Sequence, residues 1–190
     1  MNVYDFDKTV YRRDSSADFW MFMLFRHVSV LGSLPRAAAA AVGYIFGRRT
    51  LCELKQALFS FLAHIPDAMS EVESFWDRKM PGIYGWYLEN RRSDDIVISA
   101  SPEFLVAPAC ARLGVADVIA TRMDIGTGLI EGKNCKGGEK VARLKEKYPD
   151  ATVESFYSDS YSDTPLACLA KNAYIIKKGR PRPWVFRERR

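Results

Sequence analysis

The sequence predicts an α/β fold: a parallel sheet whose first strand is cut off from the others by an inserted block of helices. Three observations lead there. β-branched and aromatic runs alternate with helical patterns through the C-terminal half, the rhythm of β-α-β units. Between the first strand-like run and the second lie about 80 residues of helical pattern, far more than a crossover needs, so the block is an insertion. Acidic, hydroxyl and ammonium side chains stand at or just after the predicted strand ends, where open parallel sheets bind ligands.

The elements follow in order. Residues 2–6 read as a strand. Asp14, Ser15 and Ser16 then offer N-caps, with apolar residues recurring at Phe19, Trp20, Met23 and Leu24. The stretch 18–49 is rich in apolar residues, but Arg26, His27, Pro35 and Arg36 interrupt it before any run reaches the ~18–20 residues of a spanning helix. It reads as two apolar helices joined near Gly32–Pro35 and buried in a helical subdomain, with an interfacial pair as the alternative. Thr50 and Glu53 open 50–65 with capping-box spacing, and Ser70 and Glu73 open 69–80 in the same way. Residues 94–101 form a compact β-branched run, as a buried parallel strand should. Pro102 opens a helix over 102–114 that ends in Gly114, with a kink expected at Pro108. A strand at 116–121, a hairpin around Gly126-Thr127-Gly128, a helix over 137–148 and a strand at 152–158 follow. A helix over 163–172 and a strand at 173–178 complete the chain's pattern. The expected domains are a core of residues 1–13 and 91–190 and a helical insert over 14–90.

Composition narrows the function. Of 190 residues, 48% are hydrophobic and 13% aromatic, enough to bury a core, so disorder is not expected. The net charge of +5 favours anionic partners: phosphate esters, nucleic acid or anionic lipid. Nucleic-acid binding has charge but no motif behind it and is not expected. Much of the excess charge sits in residues 177–190, read as a solvated end, although Trp184 and Phe186 among Arg182, Arg187, Arg189 and Arg190 would also suit an anionic bilayer. Cys52, Cys110, Cys135 and Cys168 lie far apart, with no C-x-x-C pair and neither histidine near them, which argues against zinc and disulfides and for a reducing compartment. No basic n-region or apolar h-region precedes Asp5, so a cytoplasmic protein is expected, with possible peripheral contact with an anionic membrane.

The polar groups at the strand ends ask for one explanation: Asp5 and Asp7, Ser99, Lys140, and Asp159 and Asp163. A magnesium–phosphate site supplies it. Magnesium prefers oxygen ligands and takes one or two carboxylates plus phosphate and waters. A phosphate monoester repels a carboxylate nucleophile unless a metal, an ammonium and hydroxyl or N–H donors offset the charge. A carboxylate can then attack phosphorus to form an aspartyl-phosphate, while a second carboxyl protonates the leaving alkoxide and later deprotonates water. D-x-D suits this division, because residues i and i+2 at a strand end can project into the same crevice.

Here the residues resemble a family. Asp5-Phe6-Asp7-Lys8-Thr9 is similar to the D-x-D-x-[TV] motif of the haloacid dehalogenase superfamily; the strand 97–101 ending in Ser99-Ala100-Ser101 resembles its second motif. Residues 137–144 resemble its third, a lysine on a helix start, and 159–163 its fourth, D-x-x-x-D. All occur in the family's order, and the helical insert lies between the first and second motifs, where the phosphoserine-phosphatase-like branch carries its cap. The resemblance implies a Rossmann-like core with an all-helical cap of the C1 type and a Mg2+-dependent phosphatase acting on a small-molecule or lipid phosphate monoester. It implies Asp5 as nucleophile and metal ligand, Asp7 as general acid/base lending the metal its backbone carbonyl, Lys140 as charge neutraliser, and Ser99 with the Ala100 N–H as phosphoryl holders. Asp159 would ligate the metal, with Asp163 in support, and Thr9 would brace the loop. Asp14 lies near where the family's amino-acid phosphatases place an acidic substrate-recognising residue. Two departures stand out: Ser99-Ala100-Ser101 where phosphoserine phosphatases have Ser-Gly-Gly, and Ser158-Asp159-Ser160-Tyr161-Ser162-Asp163 where they have G-D-G-x-N-D. Both look closer to a sister group that includes phosphatidylglycerophosphatase C-like proteins. Phosphotransfer, or a binding protein that kept the fold and lost turnover, would leave the same motifs.

Each residue also has a plainer reading. A D-x-D pair is most often a solvated turn, although an EF-hand fails here because Val10 stands where its glycine should be. Ser99 alone would be a strand-end hydroxyl, Lys140 a helix-surface lysine, and Asp14, Asp159 and Asp163 helix N-caps. Lys136 rivals Lys140, which is preferred because it falls in the first turn of its helix. Their joint order decides for the site.

Overall fold

The structure, a computed structural model, describes residues 1–115 and 117–186. Its strands are β1 Asn2–Tyr4, β2 Ile96–Pro102, β3 Asp117–Thr121, β4 Val153–Ser158, β5 Ala170–Lys177 and β6 Arg180–Pro183. They form one sheet in the order β3-β2-β1-β4-β5-β6. Every pairing is parallel except β5 with β6. The three residues of β1 sit at the centre, where Tyr4 pairs with Val97 on one side and Tyr157 on the other. The chain therefore builds outward in opposite directions from β1, and the ends of β1, β2 and β4 open onto the crevice such a switch creates.

Among the described residues the α-helices are α1 Ser15–Arg26, α2 Leu34–Ile45, α3 Leu51–Phe59, α4 Ala68–Lys79, α5 Gly85–Asn90, α6 Glu103–Arg112, α7 Gly138–Lys147 and α8 Thr164–Ala167. Alternation along the strands sorts the core into two layers. Tyr4 and Val97 face a cluster with Phe19 of α1, Phe75 and Trp76 of α4, Tyr87 of α5 and Leu105 of α6. Val3, Ile96, Ile98 and Phe156 face the other cluster, with Leu144 of α7 and Leu166 of α8. The inserted helices thus share a core with the sheet. Trp76 stands edge-on to Phe6 at 5.7 Å and donates its indole N–H to the Leu105 carbonyl at 2.7 Å.

The local signals worked where a cap or a strand run stood alone. Asp14 caps α1 by accepting from the Ala17 N–H, and Thr50 with Glu53 forms both halves of the capping box on α3. The apolar pair breaks where expected, with a 3₁₀ turn over Val28–Ser33 and Pro35 in the first turn of α2, but its second half is not buried as expected: from Val28 to Ile45 only Val30, Ala37 and Ala40 are buried. Other expectations are corrected. The cap of α4 is Asp67, whose carboxylate accepts from the Ser70 N–H, so Ser70 is the third residue of the helix and not its cap. The first strand ends at Tyr4, which leaves both carboxylates on the loop beyond it. Asp94 and Asp95 precede β2 in a turn, with Asp95 accepting from the Arg92 N–H. The helix over 163–172 is one turn, α8, and β5 begins at Ala170. Helix α6 continues past Pro108 to Arg112. The hairpin over 122–132 is a single bridge, Met123 with Ile130, closed by Gly128 at φ +74°. Ala116, expected to start β3, lies outside the described residues, as do Arg187, Arg189 and Arg190.

The C-terminal segment is not a solvated end throughout. β6 pairs with β5, and Trp184 is buried against Phe156, its backbone N–H donating to the Ala173 carbonyl. Only Phe186 of the two aromatic residues remains exposed. One helical stretch among the described residues, Val28–Ile45, is long and apolar enough to cross a membrane by length and composition.

Candidate active site

The loop after β1 is built to turn carboxylates inward. Asp5 donates its N–H to the Tyr157 carbonyl at 2.8 Å, which keeps it between β1 and β4. The chain then coils around the Phe6 carbonyl, which accepts N–H groups from Thr9, Val10 and Tyr11. The coil is tight enough to hold Lys8 at φ +55°, a left-handed value uncommon outside glycine. Asp7 is thereby aimed at the start of α1 and the end of β2. Its Oδ1 accepts from the Ser15 N–H at 2.7 Å and its Oδ2 from the Ser101 hydroxyl at 2.5 Å. Since that hydroxyl has one proton, the Ser16 hydroxyl, 2.9 Å from it, is the donor of the next bond. A chain of hydroxyls thus runs from the first turn of α1 to Asp7.

On the other side of Asp5 stands Lys140, in the first turn of α7 after Gly137, whose φ of +59° favours glycine. Its ammonium lies 2.5 Å from Asp5 Oδ1 and 2.7 Å from Asp163 Oδ2. The Ser158 hydroxyl donates to that same Asp163 oxygen at 2.9 Å. Burial alone would weaken the ammonium, but Asp5 and Asp163 outweigh it and push the Lys140 pKa up. Burial drives Asp5 up to about 7, with Lys140 opposing and Asp163 adding. Asp7 is pushed to about 6, first by burial and then by Asp14, against the hydrogen bonds from Ser101 and Ser15. Burial also raises Asp159, with Lys8 opposing.

Asp5, Asp7, Asp14, Asp159 and Asp163 line one cavity of about 260 Å3 together with Lys140 and Ala100. Every expected acidic residue is therefore in one place. Asp14 does two things at once, capping α1 and facing the cavity. Ser99 is the exception. It is 1% exposed, its hydroxyl accepts from the Ser101 N–H at 3.0 Å, and it is not among the lining residues. Thr9 is buried behind the loop with no partner for its hydroxyl among the described residues.

The sequence reasoning missed Lys55, Lys8 and the structural part of Ser101. Lys55 crosses from α3 to the sheet, its ammonium 2.6 Å from the Ala100 carbonyl and 2.8 Å from Asn134 Oδ1. Burial lowers its pKa, and Asp7 and Asp14 work against that. A signal was present: Lys55 is four residues after Leu51 and four before Phe59, a charged residue on the apolar stripe of its helix. Lys136, the rival for Lys140, lines the cavity without touching Asp5.

The carboxylates crowd without enough cationic charge. The lining holds five aspartates against Lys8, Lys55, Lys136 and Lys140. Asp163 Oδ1 is buried and has no hydrogen-bond partner among the described residues. No compact group of three or more Asp, Glu, His or Cys side chains capable of holding a metal occurs among the described residues. The donors present fit magnesium nonetheless, because it needs only one or two carboxylates, with carbonyls, phosphate and waters completing its shell. Asp5 and Asp159, with the Asp7 carbonyl, are oxygen donors of that type.

Comparison with known proteins extends the picture. Residues 3–167 match the model of the haloacid dehalogenase-like hydrolases. The protein CicA of Caulobacter vibrioides is 29% identical over 197 aligned positions, which cover 94% of this chain and 87% of that protein. A crystal structure of a protein of unknown function from Bordetella pertussis Tohama I superposes with a TM-score of 0.77 at 21% identity, covering 92% of this chain and 88% of that one. A substrate-bound phosphoserine phosphatase superposes with a TM-score of 0.59 at 15% identity over 90% of this chain and 82% of its own. These structures share the fold.

Proposed function

Because the chain belongs to the haloacid dehalogenase-like hydrolase family, we propose that it is a magnesium-dependent phosphatase that cleaves phosphate monoesters through an aspartyl-phosphate on Asp5. The observation that carries this reading is the contact of Asp5 and Asp163 with one buried ammonium, in a cavity that also holds Asp7 and Asp159. Magnesium, held by Asp5, Asp159 and the Asp7 carbonyl, would supply positive charge against the phosphoryl oxygens.

The protein groups divide the remaining work. Lys140 works against the burial that raises Asp5 and so favours the ionised carboxylate that acts as the nucleophile. An Asp5 oxygen attacks phosphorus in line as the ester oxygen departs, and the Asp7 carboxyl gives that oxygen its proton. Asp7, now a carboxylate, takes a proton from water, which attacks the acyl phosphate and frees inorganic phosphate and Asp5. The rise of Asp7 to about 6 suits a group that must hold a proton and then take one. Ser101 and the Ser15 N–H fix its rotamer. The Ala100 N–H would receive a phosphoryl oxygen; Ser99 would support that loop through its bond to Ser101. Helices α1 to α5 act as the cap, and Asp14 and Lys55 reach the cavity from it. At about 260 Å3, the cavity suits the phosphate and first atoms of a small ester.

The test is phosphate release with magnesium from soluble and lipid monoesters side by side, wild type against Asp5→Asn. The substitution should cost about a thousandfold or more in turnover with an unchanged circular dichroism spectrum. Phosphate release by Asp5→Asn at the wild-type rate would remove the nucleophile and the mechanism with it.

A further inference from the structure

We propose that the outer face of the 3₁₀ turn Val28–Ser33 and of α2 is a docking surface for an anionic lipid bilayer, on which this helical segment lies without crossing. This stands apart from the reading of the active site and uses none of its residues.

Helix α2 is apolar on both sides. Ala37 and Ala40 are buried, and the helix packs against α3. Opposite them, Pro35, Ala38, Val42 and Ile45 recur at helical spacing and all face solvent. Exposure is extreme for residues of this kind: Phe25 is 83% exposed, Val28 81%, Ile45 77% and Phe46 72%. Scattered apolar residues are normal on a surface; a run of them on one short segment marks an interface.

Charge selects the occupant. From Phe19 to Cys52 the sequence contains no aspartate or glutamate, and its charged residues are Arg26, Arg36, Arg48 and Arg49. Arg26 is paired with Glu71, whereas Arg36, Arg48 and Arg49 make no ion pair among the described residues. An apolar stripe flanked by cations is the pattern of a helix lying in the headgroup region of an anionic bilayer. A second copy of the chain fits badly, because two like faces would bring arginines together with no acid to pair them. Spanning fits badly as well. Val28–Ile45 as a whole has the length to cross, but its 3₁₀ part is packed on the turn Ser60–His64, and the 12 residues of α2 left over measure only about 18 Å at 1.5 Å each, short of the ~30 Å hydrocarbon core.

Full-length protein is sedimented with vesicles of phosphatidylcholine alone or mixed with phosphatidylglycerol, at low and high salt. Binding is expected to the mixed vesicles at low salt and to fall steeply with salt and without anionic lipid. A Val28→Ser/Ile45→Ser/Phe46→Ser triple variant should lose about tenfold or more in partition, and Arg36→Glu/Arg48→Glu should lose as much, both keeping wild-type phosphate release. Light scattering without lipid gives the oligomeric state. No binding to mixed vesicles, equal binding to neutral ones, or a dimer that the apolar variant abolishes would each overturn the proposal.

Discussion

At the scale of single residues, the position that most distinguishes this site is Ser101. Glycine at that place would leave Asp7 with the Ser15 N–H alone, whereas here a hydroxyl chain from Ser16 through Ser101 ends on the carboxylate. Ser101 touches Asp7, so it is a positioning residue. Ser101→Ala should lower kcat by about tenfold with KM within about twofold, and Ser101→Thr should restore most of the loss. A steady-state comparison of the three proteins measures it; a change in KM alone would place Ser101 in substrate binding. The departure from Ser-Gly-Gly was visible in the sequence, yet not what it does, since its partner lies 94 positions away. The motif carboxylates and Lys140 were legible because each sits at a strand end or helix start with a recognisable pattern. Lys55 was not sought, because a lysine on a helix reads as surface until its stripe is checked.

At the scale of elements, α1 and α4 are tied by a small charge cluster. The Arg26 guanidinium donates to both Glu71 oxygens, and His27 Nε2 lies 3.0 Å from the same carboxylate. The bond from Arg26 holds Glu71 below its ordinary pKa, and burial only partly offsets this. A lowered folded-state pKa means the unfolded chain binds the proton more readily. The stabilisation is therefore fully present above the unfolded value of about 4.3 and disappears as pH falls through the folded one. Glu71→Gln should destabilise slightly at pH 7, since partly exposed pairs contribute little, and the gap to wild type should close on acidification. Urea unfolding of both proteins across that range checks the sign; a gap that widens below pH ~4.3 would contradict it. Elements of this kind were readable where one cap stood before one apolar run, as at Asp14 and Thr50. Asp67 was missed because Ser70 and Glu73 mimic the same spacing three residues further on. β6 was missed because Pro181 and Pro183 argue against a strand, although an edge tolerates them.

At the scale of the whole molecule, the helical insert and the sheet meet over the active site through the hairpin and the chain that follows it. Gln56 of α3 accepts from the Ile130 N–H at 2.9 Å, and Lys55 bonds Asn134 and the Ala100 carbonyl. Gly128 lies against the end of the same helix. A Cβ there would stand 2.4 Å from the Phe59 carbonyl oxygen, and at φ +74° an L-residue is strained even in open space. The atom in the way is backbone, so relief requires the hairpin or α3 to move. The contact could not be read from sequence, where Gly126-Thr127-Gly128 signals a turn but not what it packs on. Gly128→Ala should therefore destabilise by about 2 kcal/mol or more. Because the displaced chain leads to Asn134, the substitution should also raise KM by loosening the Lys55 bridge beside the cavity. Gly126→Ala is the control: its Cβ would meet only Asp124 Oδ1, at 3.5 Å, and its φ is not positive, so stability should hold. If thermal unfolding and KM shift equally in the two variants, hairpin flexibility and not docking of the insert is what Gly128 provides.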